Sequence, residues 1–151
     1  MSGHAHPVGP IIGVTLAQAQ AAIGAVIADA LSRGAAVVVV VAAPSGDPIA
    51  VARMDGVPPL AVESALRKCR TVAMTWGSTE AFAAALRSDL DSEPEFFHGM
   101  HHIGPLMTIG GGVPIVIGGA LVGCVAVSGA STADDIALAE VGAATLAAGG
   151  R

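Results

Sequence analysis

Residues 107–130 read MTIGGGVPIVIGGALVGCVAVSGA, a glycine-rich segment without a charged side chain. Apolar residues alternate on both sides of Gly118-Gly119, which predicts two buried strands joined by a two-residue hairpin turn. Glycine supplies the positive φ angles that such a turn needs. Gly111 and Gly112 leave the backbone bare, as a closely approaching ligand or neighbouring chain would require. The alternative is that these glycines serve only turns and strand ends.

The composition predicts one domain that associates with itself. A chain of 151 residues suits a single domain and is long enough to bury a core. Hydrophobic residues make up 53% and charged residues only 13%, so little charge is left to cover the outside. A monomer would expose broad apolar areas, and we therefore expect a homo-oligomer.

Charge and aromatic content disfavour two classes of partner. The net charge is −5, Tyr is absent and aromatic residues are 3% of the chain. Stacking platforms and basic patches for nucleic acid are therefore missing, and anionic membrane surfaces are disfavoured for the same electrostatic reason. The longest apolar run, residues 35–43, is too short to span a bilayer. We expect neither a nucleic-acid nor a membrane partner.

The N-terminal residues and the cysteines predict a cytoplasmic location. The sequence MSGHAHPVGPII lacks the basic segment and apolar core of a signal peptide, although a leader removed earlier would leave the same pattern. Cys69 and Cys124 lie within a predicted helix and a predicted strand, so we expect them to be reduced and buried. Reduced thiols are typical of the cytoplasm.

Periodicity predicts a flexible arm over residues 1–14 and a single domain over residues 15–151. The order within the domain is helix, hairpin, two helices, hairpin, helix, which indicates an α+β fold with helices packed on an antiparallel sheet. Outside the glycine-rich hairpin the predicted elements are 16–33, 36–43, 48–54, 60–76, 79–90 and 133–148. The polar interval 89–104 is predicted to be irregular.

Three residues are predicted to cap helices. Thr15 precedes the first helix with Gln18 three residues on, the spacing of a capping box. Asp55 occupies the expected N-cap position of the second helix, and Thr132 that of the last, where Asp134 and Asp135 favour the positive helix end.

Four short motifs resemble the GlcG/HbpS family of small haem-binding proteins, a domain also found at the C-terminus of PduO. They are RMDG at 53–56, KCRT at 68–71, GGVPI at 111–115 and GCVAVSG at 123–129, followed by Asp134-Asp135. The resemblance covers about residues 15–148. It implies a profilin-like fold, hexamers or octamers, and binding of haem or another small molecule. Cys69 stands where alanine is usual in that family.

A histidine cluster, His98-Gly99-Met100-His101-His102, is the densest group of potential ligands. On a helix, His98 would share a face with His101 and with His102. Imidazole is a good axial ligand for haem iron and also binds zinc, copper and non-haem iron. Gly99 favours a loop, so the alternatives are a surface loop without function, a cluster facing a ligand, or a metal centre.

Arg53, Asp55 and Lys68 form a second candidate group. A guanidinium can bind a carboxylate through two hydrogen bonds, whether a haem propionate or a substrate acid. Lys68 would add a point charge or, if desolvated, act as a base. The alternative is that Arg53 and Asp55 pair with each other and cap the second helix.

Two main functions follow from these residues. The first is an oligomeric haem-binding protein whose glycine-rich hairpin forms one wall, with one histidine of the cluster on iron and Arg53 or Lys68 on the propionates. The second is a cofactor-independent isomerase, tautomerase or hydrolytic enzyme acting on a small organic acid or enol. In that case Arg53 would anchor the carboxylate, and His101, His102 or Asp55 would transfer protons. A purely structural or partner-binding oligomer is the third alternative.

Overall fold

The computed structural model describes residues 13–149 and confirms the α+β class. Its elements are α1 (Leu16–Ser32), β1 (Val38–Ala42), β2 (Pro48–Arg53), α2 (Pro59–Thr75), α3 (Thr79–Ser92), α4 (Pro94–Gly99), a 3₁₀ turn (Met100–His102), β3 (Gly112–Ile117), β4 (Ala120–Ser128) and α5 (Thr132–Gly149). None of the helices within residues 13–149 is long and apolar enough to cross a membrane.

The predicted arm falls almost wholly on residues 1–12, which lie outside the described residues. Its last residue, Val14, is buried, and its N–H donates to the Val122 carbonyl at 3.3 Å. Val14 therefore packs with the domain.

The four strands form one antiparallel sheet in the order β2-β1-β4-β3. β1 lies in the middle, and all five of its residues are fully buried. Val39 and Val41 face a cluster built with α1 and α5, whereas Val38 and Val40 face a cluster built with α2. Both faces of the sheet are thus covered by helices, which explains why β1 is an unbroken apolar run rather than an alternating one.

The hairpin between β3 and β4 is confirmed. Gly118 and Gly119 have φ angles of 58° and 80°, as a two-residue turn of this kind requires. A bulge follows Ile115, and beyond it Val116 and Ile117 are exposed. The buried half of the hairpin is therefore the end next to Gly112 and Ser128.

Two of the three predicted caps were wrong. The capping box of Thr15 and Gln18 is present, with hydrogen bonds of 3.1 and 2.9 Å. Asp55 does not cap α2, because that helix begins only at Pro59 and has no side-chain cap. The N-cap residue is Pro58, which has no side-chain acceptor, and the Ala61 N–H donates to the Pro58 carbonyl at 3.0 Å instead.

The cap of α5 is displaced by one residue from the prediction. Thr132 is already the first residue of the helix, and the Ser131 hydroxyl accepts the Asp134 N–H at 3.1 Å. Both residues are good capping types, so the sequence did not distinguish them.

The prediction of an irregular interval at 89–104 was also wrong. α3 continues to Ser92, α4 follows from Pro94, and the 3₁₀ turn carries the chain to His102. Pro94 at the first helical position and Glu95 in the first turn both favour a helix start. The histidine cluster therefore lies on helical backbone, with Gly99 as the last residue of α4.

Candidate functional site

A buried ion pair lies between α2 and α5. The Lys68 ammonium donates to the Val127 carbonyl at 2.7 Å and to Asp135 Oδ2 at 3.1 Å. The Lys68 side chain is fully buried and that of Asp135 is 5% exposed. The other Asp135 oxygen accepts the Ala130 N–H at 3.0 Å. The pair thus joins α2, the end of β4 and the first turn of α5.

Burial acts on both members of the pair. Desolvation lowers the pKa of Lys68 below its usual value, and the neighbouring Asp135 carboxylate only partly opposes this. Desolvation likewise raises the pKa of Asp135, against the opposing effect of Lys68 and of backbone N–H donors. Both shifts favour the uncharged forms, so the charges are held at some cost in folding free energy.

Gly111 and Gly112 pack directly against this pair. Gly111 has a φ of +114°, and a Cβ there would lie 2.7 Å from the Val127 oxygen and 2.8 Å from Lys68 Nζ. The Gly112 N–H donates to the Thr79 hydroxyl at 3.0 Å, and a Cβ on Gly112 would lie 2.9 Å from Thr79 Cγ2. The bare backbone is therefore used for close packing over Lys68. That either glycine contacts a ligand stays a prediction.

A cleft of about 370 Å³ opens beside the ion pair, which we call the Lys68 cleft. Lys68 and Asp135 border its inner end. Its other walls are mainly apolar, with hydroxyl groups from both sides: Pro58, Leu60, Ser64, Met107, Ile109, Ser128 and Thr132.

The three histidines of the cluster are exposed on α4 and the 3₁₀ turn. The Phe97 ring makes edge-on contacts with the rings of His98 at 5.3 Å and His101 at 5.7 Å. Within residues 13–149, no three His, Cys, Asp or Glu side chains lie close enough to hold a metal ion together. The histidines thus do not assemble a three-ligand centre there, and their role as a single axial ligand stays a prediction.

His101 borders a second cavity of about 270 Å³, which we call the His101 crevice. α3 and the segment after the 3₁₀ turn form most of its walls: Phe82, Leu86, Met100, Pro105, Leu106 and Thr108. Neither His98 nor His102 lines it. The crevice thus combines an apolar lining with one imidazole.

The segment 105–109 separates the two cavities. Leu106 and Thr108 line the His101 crevice, whereas Met107 and Ile109 line the Lys68 cleft. The Met107 N–H donates to the Thr71 hydroxyl of α2 at 2.8 Å, which fixes the segment. One short stretch therefore forms a wall of both cavities.

Arg53 and Asp55 are not brought together with the histidines. Arg53 Nε donates to the Val57 carbonyl at 2.7 Å, and no ion pair links Arg53 to Asp55, which is exposed. The bond to Val57 holds the turn that leads into Pro58, a residue of the Lys68 cleft. Arg53 and Asp55 do not line the His101 crevice. Their roles toward a ligand stay predictions.

The sequence reasoning missed Asp135 as the partner of Lys68. Its position contained a signal, because Asp135 begins the buried stripe of α5 that continues through Leu138, Ala139, Gly142 and Leu146. Lys68 likewise lies on the buried stripe of α2 between Ala65 and Val72. Two opposite charges on the inward stripes of two helices indicate a buried pair.

These features define a class of protein: a small α+β domain whose antiparallel sheet is enclosed by helices, with surface cavities between its elements. The chain belongs to the HbpS-like family, described as "Haem degrading protein HbpS-like", which matches residues 14–144. No curated protein matches the chain.

Several solved structures have a similar fold. Klebsiella pneumoniae protein ORFY is similar with a TM-score of 0.77 and 23% identity, covering 95% of this chain and 97% of that one. HbpS is similar with a TM-score of 0.75 and 29% identity, covering 97% of this chain and 96% of that one. A PduOC–haem complex has a TM-score of 0.75 and 22% identity, covering 89% and 95%.

Proposed function

We propose that this protein binds haem, with His101 as a ligand of the iron. The observation that carries the proposal is the position of His101 at the edge of an apolar crevice, which His98 and His102 do not line. Membership of the HbpS-like family supports it, as does the similarity of the fold to a PduOC domain solved with haem. The crevice of about 270 Å³ lies below the roughly 300–1,000 Å³ of cavities that enclose a ligand, so its apolar walls would hold one edge of the porphyrin ring rather than the whole ring. Imidazole is an established protein ligand for haem iron.

The chain's own residues provide the elements of such a site. The Phe97 ring contacts the His101 ring edge-on and so restrains the imidazole. Arg67 and Arg70 line a neighbouring cavity of about 280 Å³ that shares Pro105 with the His101 crevice. Arg67 is already paired with Glu63 at 2.7 Å, so Arg70 is the better placed of the two to bind a propionate. Haem would supply the iron chemistry, and these side chains would orient it.

A haem titration of the purified protein tests this proposal. We expect a saturable shift of the Soret band at about one haem per chain. His101→Ala should abolish it, whereas the matched variants His98→Ala and His102→Ala should retain it. A weak, non-stoichiometric shift that none of the three changes affects would contradict haem binding at this site.

We further propose that the protein is a homo-oligomer, a hexamer or an octamer. Its large exposed apolar side chains support this, with Trp76 78%, Leu60 76% and Ile103 57% exposed in the single chain. Sedimentation should give six or eight times the mass of one 14.7 kDa chain. A species with the mass of a single chain at micromolar concentration would contradict it.

The cofactor-independent enzyme remains the second candidate, with a changed site. Of its expected residues, Arg53, Asp55 and the histidines, only His101 lines the His101 crevice, and none lines the Lys68 cleft. The group that favours acid–base chemistry is instead Lys68, whose pKa burial lowers beside Asp135. Turnover of a small acid or enol that survives His101→Ala would favour this candidate.

A further inference from the structure

We propose that two copies of this chain pair through the outer edge of β2, as antiparallel strands related by a twofold axis at Val51. The sheets of the two copies then join into one continuous sheet. The proposal rests on the homo-oligomer proposed above, and it names one of the contacts that hold the oligomer together.

The main chain of β2 presents hydrogen-bonding groups along this edge. The Met54 N–H donates to the Val37 carbonyl at 3.0 Å, so the alternation of an antiparallel ladder directs Ala52 toward β1 and directs Val51 and Arg53 away from it. Only β1 neighbours β2 in the sheet, and within residues 13–149 no backbone group outside β1 bonds to Val51. Such an edge is a template for another strand.

β2 lacks the features that normally protect an exposed edge. Its sequence is PIAVAR, with proline only at its first residue and Arg53 as its only charged side chain. The Arg53 guanidinium is bonded to the Val57 carbonyl at 2.7 Å. Val51 is 45% exposed, and the bulge in the pairing with β1 is confined to the beginning of β2. An apolar edge without charges or a central bulge favours pairing with a further strand.

The opposite edge of the sheet, formed by β3, is protected. The Val127 N–H donates to the Gly111 carbonyl at 2.8 Å, so the same alternation directs Gly112 and Pro114 outward. Pro114 has no N–H to donate. The Gly112 N–H is already bonded to the Thr79 hydroxyl at 3.0 Å. Of the two edges of the sheet, β2 is therefore the one open to pairing.

The sequence of β2 fits a second copy of itself. When Val51 lies opposite Val51 of the second copy, the outward groups of both strands meet, as an antiparallel ladder requires. Ala50 then lies opposite Ala52, and Arg53 lies opposite Ile49, so no two like charges face each other. A twofold contact uses the same patch on both copies, and it is compatible with the even subunit number of a hexamer or an octamer.

Charge substitutions at Val51 test the proposal, because the twofold axis sets the two side chains opposite each other. Val51→Lys alone and Val51→Glu alone each bring two like charges together, so we expect the sedimentation mass of the assembly to fall to about half. Equimolar mixing of the two variants pairs an ammonium with a carboxylate and should restore the wild-type mass. Val116→Lys is the matched control, because Val116 is an exposed valine of β3, and it should keep the wild-type mass.

Amide hydrogen exchange of the wild-type oligomer gives a second readout that needs no variant. The Val51 N–H should be protected to the same degree as the Ala52 N–H, which is bonded within the chain. Three results would overturn the pairing and leave the oligomer itself standing. They are an unchanged mass in both Val51 variants, no recovery on mixing two variants that keep the wild-type circular dichroism, and rapid exchange of the Val51 N–H in an oligomeric wild type. A wild type with the mass of a single chain would contradict the oligomer as well.

Discussion

Lys68 Nζ lies 3.1 Å from Asp135 Oδ2, although the two residues are 67 positions apart in the chain. Their contact ties the middle of α2 to the first turn of α5, and the bond to Val127 adds β4. Gly111 packs against both side chains. The same pair lines the Lys68 cleft.

Breaking the ion pair on one side should be costly. Lys68→Met leaves the Asp135 carboxylate buried and uncompensated, which we expect to lower the free energy of unfolding by about 3–5 kcal/mol. The double change Lys68→Met/Asp135→Asn removes the charge and keeps an oxygen for the Ala130 N–H, so it should recover most of that loss. Guanidinium denaturation measures both.

The matched control for this prediction is Arg67→Met, at the position next to Lys68. It breaks the exposed ion pair between Arg67 and Glu63. We expect that change to cost less than about 1 kcal/mol. If the double variant is as unstable as Lys68→Met alone, the uncompensated Asp135 charge is not the cause of the stability loss.

The free energy of unfolding of the wild type minus that of Lys68→Met/Asp135→Asn should pass through a minimum at intermediate pH. Because the folded-state pKa of Asp135 is raised above 3.8, Asp135 stabilises the folded state fully below pH 3.8. This stabilisation is lost as the pH rises through the raised pKa. Because the folded-state pKa of Lys68 is lowered from 10.5, the charged Lys68 destabilises the folded state at pH values below the lowered pKa. This destabilisation disappears as the pH rises toward 10.5.

Denaturation of both proteins across this pH range checks the sign, since the contributions of all other groups cancel in the difference. A difference that passes through a maximum near neutral pH would mean that the attraction between the charges outweighs their desolvation.

Gly111→Ala should destabilise the protein by more than about 2 kcal/mol. The change combines a backbone φ of +114° with a Cβ placed 2.7 Å from the Val127 oxygen, so strain and collision act together. Gly24→Ala is the matched control. Gly24 lies in the interior of α1 with nothing within 4 Å of a new Cβ, so alanine should stabilise by about 0.5–1 kcal/mol. Thermal or chemical denaturation measures the stability of both variants. Equal changes in the free energy of unfolding would contradict the close packing of Gly111.

Arg70→Ala should weaken haem binding by about ten- to a hundredfold if Arg70 binds a propionate, since a hydrogen bond to a charged group contributes roughly 1.5–3 kcal/mol. Arg87→Ala removes an exposed arginine of α3 that lines neither cavity next to Pro105, and should leave the affinity unchanged. Equilibrium titration with haem gives both constants. Equal affinities in the two variants would remove Arg70 from the site.

Much of the fold could be predicted because its signals are local. The alternation around Gly118-Gly119 and the capping box of Thr15 and Gln18 each depend on neighbours in sequence, and both were confirmed. The interval containing α4 was missed because polar residues and Gly99 outweighed the helix start signal at Pro94.

The candidate sites were harder to predict because they depend on distant contacts. Nothing near Lys68 in sequence indicates Asp135, and only the inward position of each charge on its helix hints at the pair. The histidine cluster was visible, but which histidine borders a cavity depends on how the segment 105–109 crosses α3 and the 3₁₀ turn.

The most direct test of haem ligation by His101 is chemical rescue. His101→Gly removes the imidazole, and free imidazole can then enter the vacated position. We predict that haem gives no stoichiometric Soret shift with this variant, and that millimolar imidazole restores the wild-type spectrum at about one haem per chain. A His101→Gly variant that binds haem with the wild-type spectrum before imidazole is added would contradict it.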